Sequence, residues 1–353
     1  MAGNVFGRVF RIMTWGESHG AAVGVVIDGC PPGIDISEEM IQVELDRRRP
    51  GQSDVTTPRD ETDRVQILSG TFEGKSTGTP VSLMVRNRDQ NSGQYDNLRD
   101  VFRPGHADYT FFKKYGIRDH RGGGRASGRE TIGRVAAGAI ARKILLNHGI
   151  NVIAYARQIG DVHAETVDLD EIERNPVRCP DKEAAGRMKD NILTAKDKGD
   201  SLGGIVEIVA SGCPAGFGDP VFDRLDAELA RALMSIGTIK GVEIGAGFDV
   251  AARRGSENND QITSDGFLTN NAGGILGGIS TGQDIVVRIA VKPTSSILKE
   301  QRTVDTGNRD TTVRIEGRHD PCIVPRVVPV AESMVALVLT DFLLGRQYGT
   351  EWI

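Results

Sequence analysis

A chain of 353 residues with a formal charge of −5 and a pI near 5.8 lacks the net basic field that non-specific nucleic-acid or anionic-membrane binding requires, so its arginine clusters point instead to discrete anion sites. Its four cysteines, Cys30, Cys179, Cys213 and Cys322, stand far apart, with no CxxC and no histidine at metal spacing, which indicates neither a zinc site nor a disulfide framework and suits a reduced, cytoplasmic protein. The longest apolar run, residues 334–344, is too short to span a bilayer and contains Asp341, and no basic-then-apolar leader opens the chain, so neither membrane insertion nor secretion is expected.

The first 27 residues read as a strand, a glycine turn at Gly16-Glu17-Ser18-His19-Gly20 and a second strand over 23–27. His19 sits on that turn, where catalytic side chains are often presented and where a histidine can equally serve only its own loop. A helix is expected from Ser37 to Arg49, with Glu38 and Glu39 at its positive N-terminus and Pro50-Gly51 beyond its end. Arg47, Arg48 and Arg49 close it. Consecutive helical residues point in different directions, so Arg48 and Arg49 are candidates for a common ligand and Arg47 is expected in solvent. Residues 52–64 form a polar loop able to close over a site, and 65–68 and 81–85 read as paired strands around a glycine-rich connection.

After a polar loop over 86–101 comes the most distinctive stretch, 103–131. Pro104-Gly105 turns the chain immediately before His106, while Gly122, Gly123 and Gly124 permit backbone shapes closed to other residues and let amides converge on a phosphate. A helix over 131–148 would set its free amides beside Arg125, Ser127 and Arg129. Its small interior residues, Gly133, Ala136, Ala137, Gly138 and Ala141, require another element at very close range.

Gly149 ends that helix; 150–159 and the alternating 205–210 read as strands, separated by a charged, peripheral segment with helical spacing over 183–196. Asp219-Pro220 is expected to cap a helix with Phe222, Leu225, Leu229 and Leu233 on its apolar face. A short turn and strand over 238–250, a polar excursion over 258–271 and a second glycine cluster over 273–278 follow. The strand 283–291 ends at Lys292-Pro293-Thr294-Ser295-Ser296, which offers a cation, hydroxyls and loop amides together. Arg318-His319-Asp320-Pro321-Cys322 precedes a final helix over 330–345, where Asp341 shares an apolar stripe with Met334, Leu337, Val338 and Leu344. Strands in adjacent pairs, separated by helices, give an α+β chain.

Seven of these pieces, in this order, resemble the chorismate synthase family along nearly the whole chain: Gly16-Glu17-Ser18-His19-Gly20, Asp46-Arg47-Arg48-Arg49-Pro50-Gly51, Phe102-Arg103-Pro104-Gly105-His106-Ala107-Asp108, the glycine-arginine stretch 121–131, 273–278, 292–296 and Gly317-Arg318-His319-Asp320-Pro321-Cys322. The resemblance implies a single domain over residues 1–353, folded as a β-α-β sandwich with a helical layer between two antiparallel sheets, and assembled as a homotetramer. It implies a lyase of the shikimate pathway, in aromatic amino acid biosynthesis, that converts 5-enolpyruvylshikimate 3-phosphate to chorismate and phosphate by a 1,4-anti elimination, using reduced FMN without net redox change.

By the same resemblance the flavin falls to Arg125, Ala126, Ser127, Gly237, Thr238, Gly277, Lys292, Pro293, Thr294, Ser295, Ser296 and Arg318. A substrate with two carboxylates and a phosphate calls for fixed guanidinium groups, and Arg48, Arg49, Arg129 and Arg134 are the candidates. His19 is expected as general acid to the departing phosphate, His106 to protonate or stabilise the reduced flavin, and Asp341 to assist proton removal near the flavin N5. Asp54 stands where some relatives carry an arginine associated with NADPH, and no added reductase segment is evident. NADPH use therefore stays open, and with it whether reduced FMN comes from an intrinsic NADPH-dependent activity or from an external flavin reductase. No metal, nucleic-acid or membrane partner is expected. A kinase reading lacks GxxxxGK[ST], and an RNA-binding reading of Tyr109, Phe111, Phe112 and Tyr115 runs against the net acidity, those aromatics reading more simply as core.

Overall fold

The computed structural model describes residues 3–57, 61–88, 92–315, 317 and 319–349. One antiparallel sheet orders Val5–Phe6, Arg11–Gly16, Ala22–Asp28, Val81–Arg86 and Val65–Ser69; a second orders Ile239–Ile244, Ile285–Val291, Gly204–Ser211, Asn151–Ile159 and Val162–His163. Side chains alternate across a strand, so Val23, Val25 and Ile27, with Val81, Leu83 and Val85, bury one face of the first sheet, as Val206, Ile208 and Ala210, with Ile285, Val287 and Ile289, bury one face of the second. Seven helices accompany them among the described residues: α1 (Glu38–Arg48), α2 (Asp108–Tyr115), α3 (Thr131–Leu146), α4 (Lys182–Asp197), α5 (Leu225–Met234), α6 (Gly255–Asn258) and α7 (Val324–Gly349). Between the two buried faces lie α1, α3 and α7, with α3 against the first sheet and α7 against the second. The architecture is the expected β-α-β sandwich.

The small residues of α3 have the close partner they require. A Cβ added to Gly138 would lie 2.3 Å from Ser333 Cβ on α7, and one on Gly133 would lie 3.0 Å from Thr14 Cγ2 and 3.1 Å from the Gly24 carbonyl of the first sheet. The α1 cap is also as read: Ser37 Oγ accepts from Met40 N at 3.2 Å.

Four expectations are corrected. The last helix starts at Val324, six residues before the expected 330, because its prolines do not break it. Pro325 lies in the first turn, where no N–H bond is lost, and the Pro325 carbonyl, which a residue other than Pro329 would have bonded, accepts instead from Arg178 Nη1 at 2.9 Å. The resulting helix is long and apolar enough to cross a membrane by composition, yet 89% of its apolar window is buried within the sandwich. Phe222 is not on α5: Asp219 and Asp223 exchange backbone hydrogen bonds of 2.9 and 3.0 Å, which makes that segment a turn and leaves Phe222 88% exposed. Tyr109 and Tyr115 are exposed on α2 and are not core. Arg47 is not in solvent; its Nη1 reaches Glu332 at 2.5 Å and Glu44 at 2.7 Å. Glu332, nearly fully buried on α7, also accepts from Ala154 N at 2.8 Å and Arg142 Nη1 at 3.2 Å.

Gly138→Ala tests the helix contact. Overpacking a tight interface costs ~1–3 kcal/mol, and alanine's better helix propensity returns only about 1 kcal/mol, so the denaturation midpoint is expected to fall. An unchanged or raised midpoint would show that the helices have room to separate.

Candidate active site

Three consecutive residues in the left-handed region, Gly122 (φ 64°), Gly123 (φ 113°) and Gly124 (φ 52°), form a turn that only glycine makes without strain. Two histidines press against it. A Cβ on Gly122 would fall 2.1 Å from His19 Cε1 and 2.9 Å from Ser18 Oγ, and one on Gly123 would fall 3.1 Å from His106 Cε1. The absence of these two side chains is therefore what lets both imidazoles approach one turn.

His19 is buried, with Nδ1 3.1 Å from Ser18 Oγ and its ring edge-on to Tyr95 at 5.2 Å between centroids. His106 Nδ1 lies 2.9 Å from Asp108 Oδ1. Burial alone would raise the Asp108 carboxyl, but hydrogen bonds from Arg103, with Nε and Nη2 at 2.7 and 2.9 Å, and from His106 hold it well below the usual carboxylate range. An ionised carboxylate only accepts, so His106 donates through Nδ1 and turns Nε2 to the Gly123 side. Burial pushes the His106 pKa below its ordinary value; Asp108 opposes this, while Arg103 and Lys292 add to it.

The arginine cluster surrounds Asp63. Its Oδ2 accepts from Arg48 Nη1 at 2.8 Å and its Oδ1 from Arg129 Nη1 at 2.9 Å, and all three side chains are almost fully enclosed. Arg48 is further held by Thr131 Oγ1 and the Gly128 carbonyl, both at 3.1 Å. Arg129 Nη2 has no hydrogen-bond partner among the described residues, and neither have the buried Arg49 Nε and Ser53 Oγ. Such buried donors are costly unless something pairs with them. Asp320 joins the same region, accepting from Thr57 N at 3.0 Å and from Arg326, whose Nε bonds the Arg48 carbonyl at 3.1 Å.

The 292–296 loop closes another side. Lys292 N donates to Thr238 O at 2.9 Å, Lys292 Nζ approaches the Gly105 carbonyl at 3.3 Å, and a Cβ on Gly105 would lie 3.3 Å from Ser295 Cβ. Thr238 Oγ1, Thr294 Oγ1 and His319 Nε2 are buried without hydrogen-bond partners among the described residues. Burial, followed by the charges of Arg103 and His106, pushes His319 down to about 4, so it is neutral. Ser127 Oγ accepts from Arg129 N at 3.3 Å, while Arg125 is spent on the first sheet, donating to Thr14 Oγ1 at 2.7 Å and Gly16 O at 3.1 Å.

Three expected residues are not brought here. Arg134 Nε bonds Glu130 Oε2 at 2.9 Å and its Nη1 bonds Ser235 Oγ at 2.6 Å, turning it towards α5. Gly277, in the hairpin before the Ile285–Val291 strand, lies at the opposite end of that strand from Lys292, a separation of ~20 Å at the usual rise. Asp341 lies about 22 Å along α7 from Arg326 by helical rise, and its carboxylate is taken up by the backbone amides of Arg8, Val9 and Phe10 at 2.6–3.0 Å. It lines a separate cavity of about 350 Å³ with Phe217, Gly218 and Arg346. Arg318 lies outside the described residues. Sequence patterns do not single out Asp63, Asp108, His319 or Asp320; the last three lie inside the motifs shared with the family, whereas nothing around Asp63 marks it.

The chorismate synthase family model matches residues 10–344. The chain belongs to the chorismate synthase family. It is 60% identical over 354 residues to the chorismate synthase of Syntrophus aciditrophicus, covering 99% of this chain and 100% of that one. It is 60% identical over 353 residues to that of Methanosarcina mazei, covering 98% and 97%. A crystal structure of a chorismate synthase superposes with a TM-score of 0.76 at 34% identity, over 97% of this chain and 93% of that chain. Like these relatives, it is a chorismate-forming enzyme of the shikimate pathway.

Because Asp108 is what supports the His106 pKa against burial, Asp108→Asn is expected to lower that pKa further. An NMR titration of the His106 ring reads it; an unchanged or raised value would refute the pairing.

Proposed function

We propose that this enzyme converts 5-enolpyruvylshikimate 3-phosphate to chorismate and phosphate by a 1,4-anti elimination that uses reduced FMN without net oxidation. The observation that carries the reading is a pair of histidines set against one glycine turn, His19 buried and His106 half-buried, beside a cluster of enclosed arginines in which Arg129 Nη2 has no hydrogen bond among the described residues. The substrate's carboxylates and phosphate need fixed cations in a site shielded from water. Arg129 Nη2 and Arg49 Nε supply them, with Arg48 locked behind.

His19 donates a proton to the departing phosphate oxygen, its Nδ1 steadied by Ser18 Oγ at 3.1 Å. His106, fixed through Nδ1 on Asp108, keeps Nε2 available to hold or exchange a proton beside the flavin. Thr238 Oγ1, Thr294 Oγ1 and His319 Nε2, buried and without hydrogen bonds among the described residues, together with Lys292 fit the polar parts of FMN. When bound, reduced FMN would lend electron density to the substrate as phosphate leaves. Asp320, tied to Arg48 through Arg326, is better placed than Asp341 as the carboxylate near the proton that leaves.

Asp54 accepts from Lys189 at 2.8 Å, so its carboxylate is neutralised on α4. We assign no NADPH contact there and take reduced FMN to come from an external reductase. The remaining flavin candidates, Gly237 and Arg125–Ser127, and the homotetramer rest on the family resemblance.

Anaerobic assay with dithionite-reduced FMN should give phosphate and chorismate in equal amounts with no net flavin oxidation; phosphate release independent of reduced FMN would sink the reading. His19→Ala is expected to lower kcat about a hundredfold or more. Asp320→Asn should slow turnover while Asp341→Asn, whose lost interactions are with a distant turn, acts mainly on stability. Equal kcat for Asp320→Asn and wild type would remove Asp320 from the site.

A further inference from the structure

Resting on that reading, the arrangement of the cations poses a further question, since a carboxylate between two anion-binding arginines subtracts the very charge the substrate needs. Asp63 has no side-chain exposure and a left-handed backbone, φ 44°. Gln42 of α1 holds its segment, with Nε2 3.3 Å from the Thr62 carbonyl and Oε1 accepting from Val65 N at 3.1 Å. One carboxylate thus joins the end of α1, through Arg48, to the turn before α3, through Arg129.

The two arginines are not held equally. Arg48 has Thr131 and Gly128 as additional anchors. Arg129 has Asn87 on Nε, but its Nη2 stands 3.6 Å from Glu61, too far for a hydrogen bond. A long side chain that is free to rotate loses entropy on binding, whereas one already fixed does not. Asp63 exchanges charge for that fixing.

We propose that Asp63 is a positioning residue for substrate binding: by gripping Nη1 of Arg129 and tying it to the anchored Arg48, it aims Nη2, which has the Glu61 carboxylate at ion-pair distance but no hydrogen bond among the described residues, at an anionic group of the phosphorylated enolpyruvyl substrate. Asp63 touches no substrate itself. Arg48 is the anchor of the device and Arg129 its contact.

Asp63→Asn tests this cleanly, because asparagine has the same shape and adopts positive φ as readily as aspartate. Its amide can accept from one guanidinium only, and Arg129, with fewer other anchors, is the one released. With 5-enolpyruvylshikimate 3-phosphate and dithionite-reduced FMN, KM is expected to rise about tenfold or more with kcat little changed, the signature of lost uniform binding. In the Arg129→Ala background the same substitution should add no further loss, since coupled residues are non-additive. Unchanged KM, or a penalty of Asp63→Asn that persists in full without Arg129, would overturn the proposal. So would a fall in kcat that follows a fall in Tm. If Asp63→Asn does not fold, Asp63→Glu keeps the charge and displaces the carboxylate by one methylene; a wild-type KM there is equally fatal. Wild-type enzyme that leaves this substrate untouched would instead defeat the functional reading, which separates the two failures.

Discussion

The near-contact of α3 and α7 at Gly138 and Ser333 sets the thickness of the helical layer, and the positions of the two sheets follow from it. The arginine side of the candidate site is attached to the ends of this layer, while His19, Thr238 and Lys292 come from strand ends. The glycine turn and Arg129 lead into α3, Asp320 and Arg326 open α7, and Arg48 closes α1. A displacement of one helix would therefore move donors contributed by the other two. Close-packed interiors respond to such changes by rearranging as units rather than by yielding gradually.

Electrostatic ties act on the same layer. Glu332 on α7 takes Arg47 of α1, Arg142 of α3 and the backbone of the second sheet at Ala154. Removing one partner from such a buried set is costly because the others are left uncompensated. The three adjacent arginines at the end of α1 are thereby divided among three tasks: Arg47 binds the layer together, Arg48 anchors Asp63, and Arg49 stands at the rim, 35% exposed, its Nε 3.6 Å from Asp46 and without a hydrogen bond among the described residues. Helical geometry makes this division necessary, since neighbours along a helix diverge by about 100°.

Much of the fold was legible in the sequence. The Ser37 cap, the strand alternations and the small-residue interior of α3 each reflect a local rule that the structure obeys, and the motifs placed the chain in its family. Legibility failed where a distant partner overrode the local signal. Pro329 reads as a breaker until Arg178 supplies a donor to the freed carbonyl, and Asp341 reads as a suspicious carboxylate on an apolar stripe until three amides from the N-terminal segment are found to satisfy it.

Local rules in the sequence marked the candidate glycines, histidines and arginines and the elements that carry them, because turn geometry, capping and periodicity depend on residues a few positions apart. Only the tertiary structure decided which of them meet. It set His19 and His106 against one turn, turned Arg134 towards α5 and left Gly277 and Asp341 far from Lys292 and Arg48. It also brought in Asp63, which no pattern marked. The reason is physical: a buried charge acquires its role from the group that pairs with it, and here the partners lie tens to hundreds of residues away.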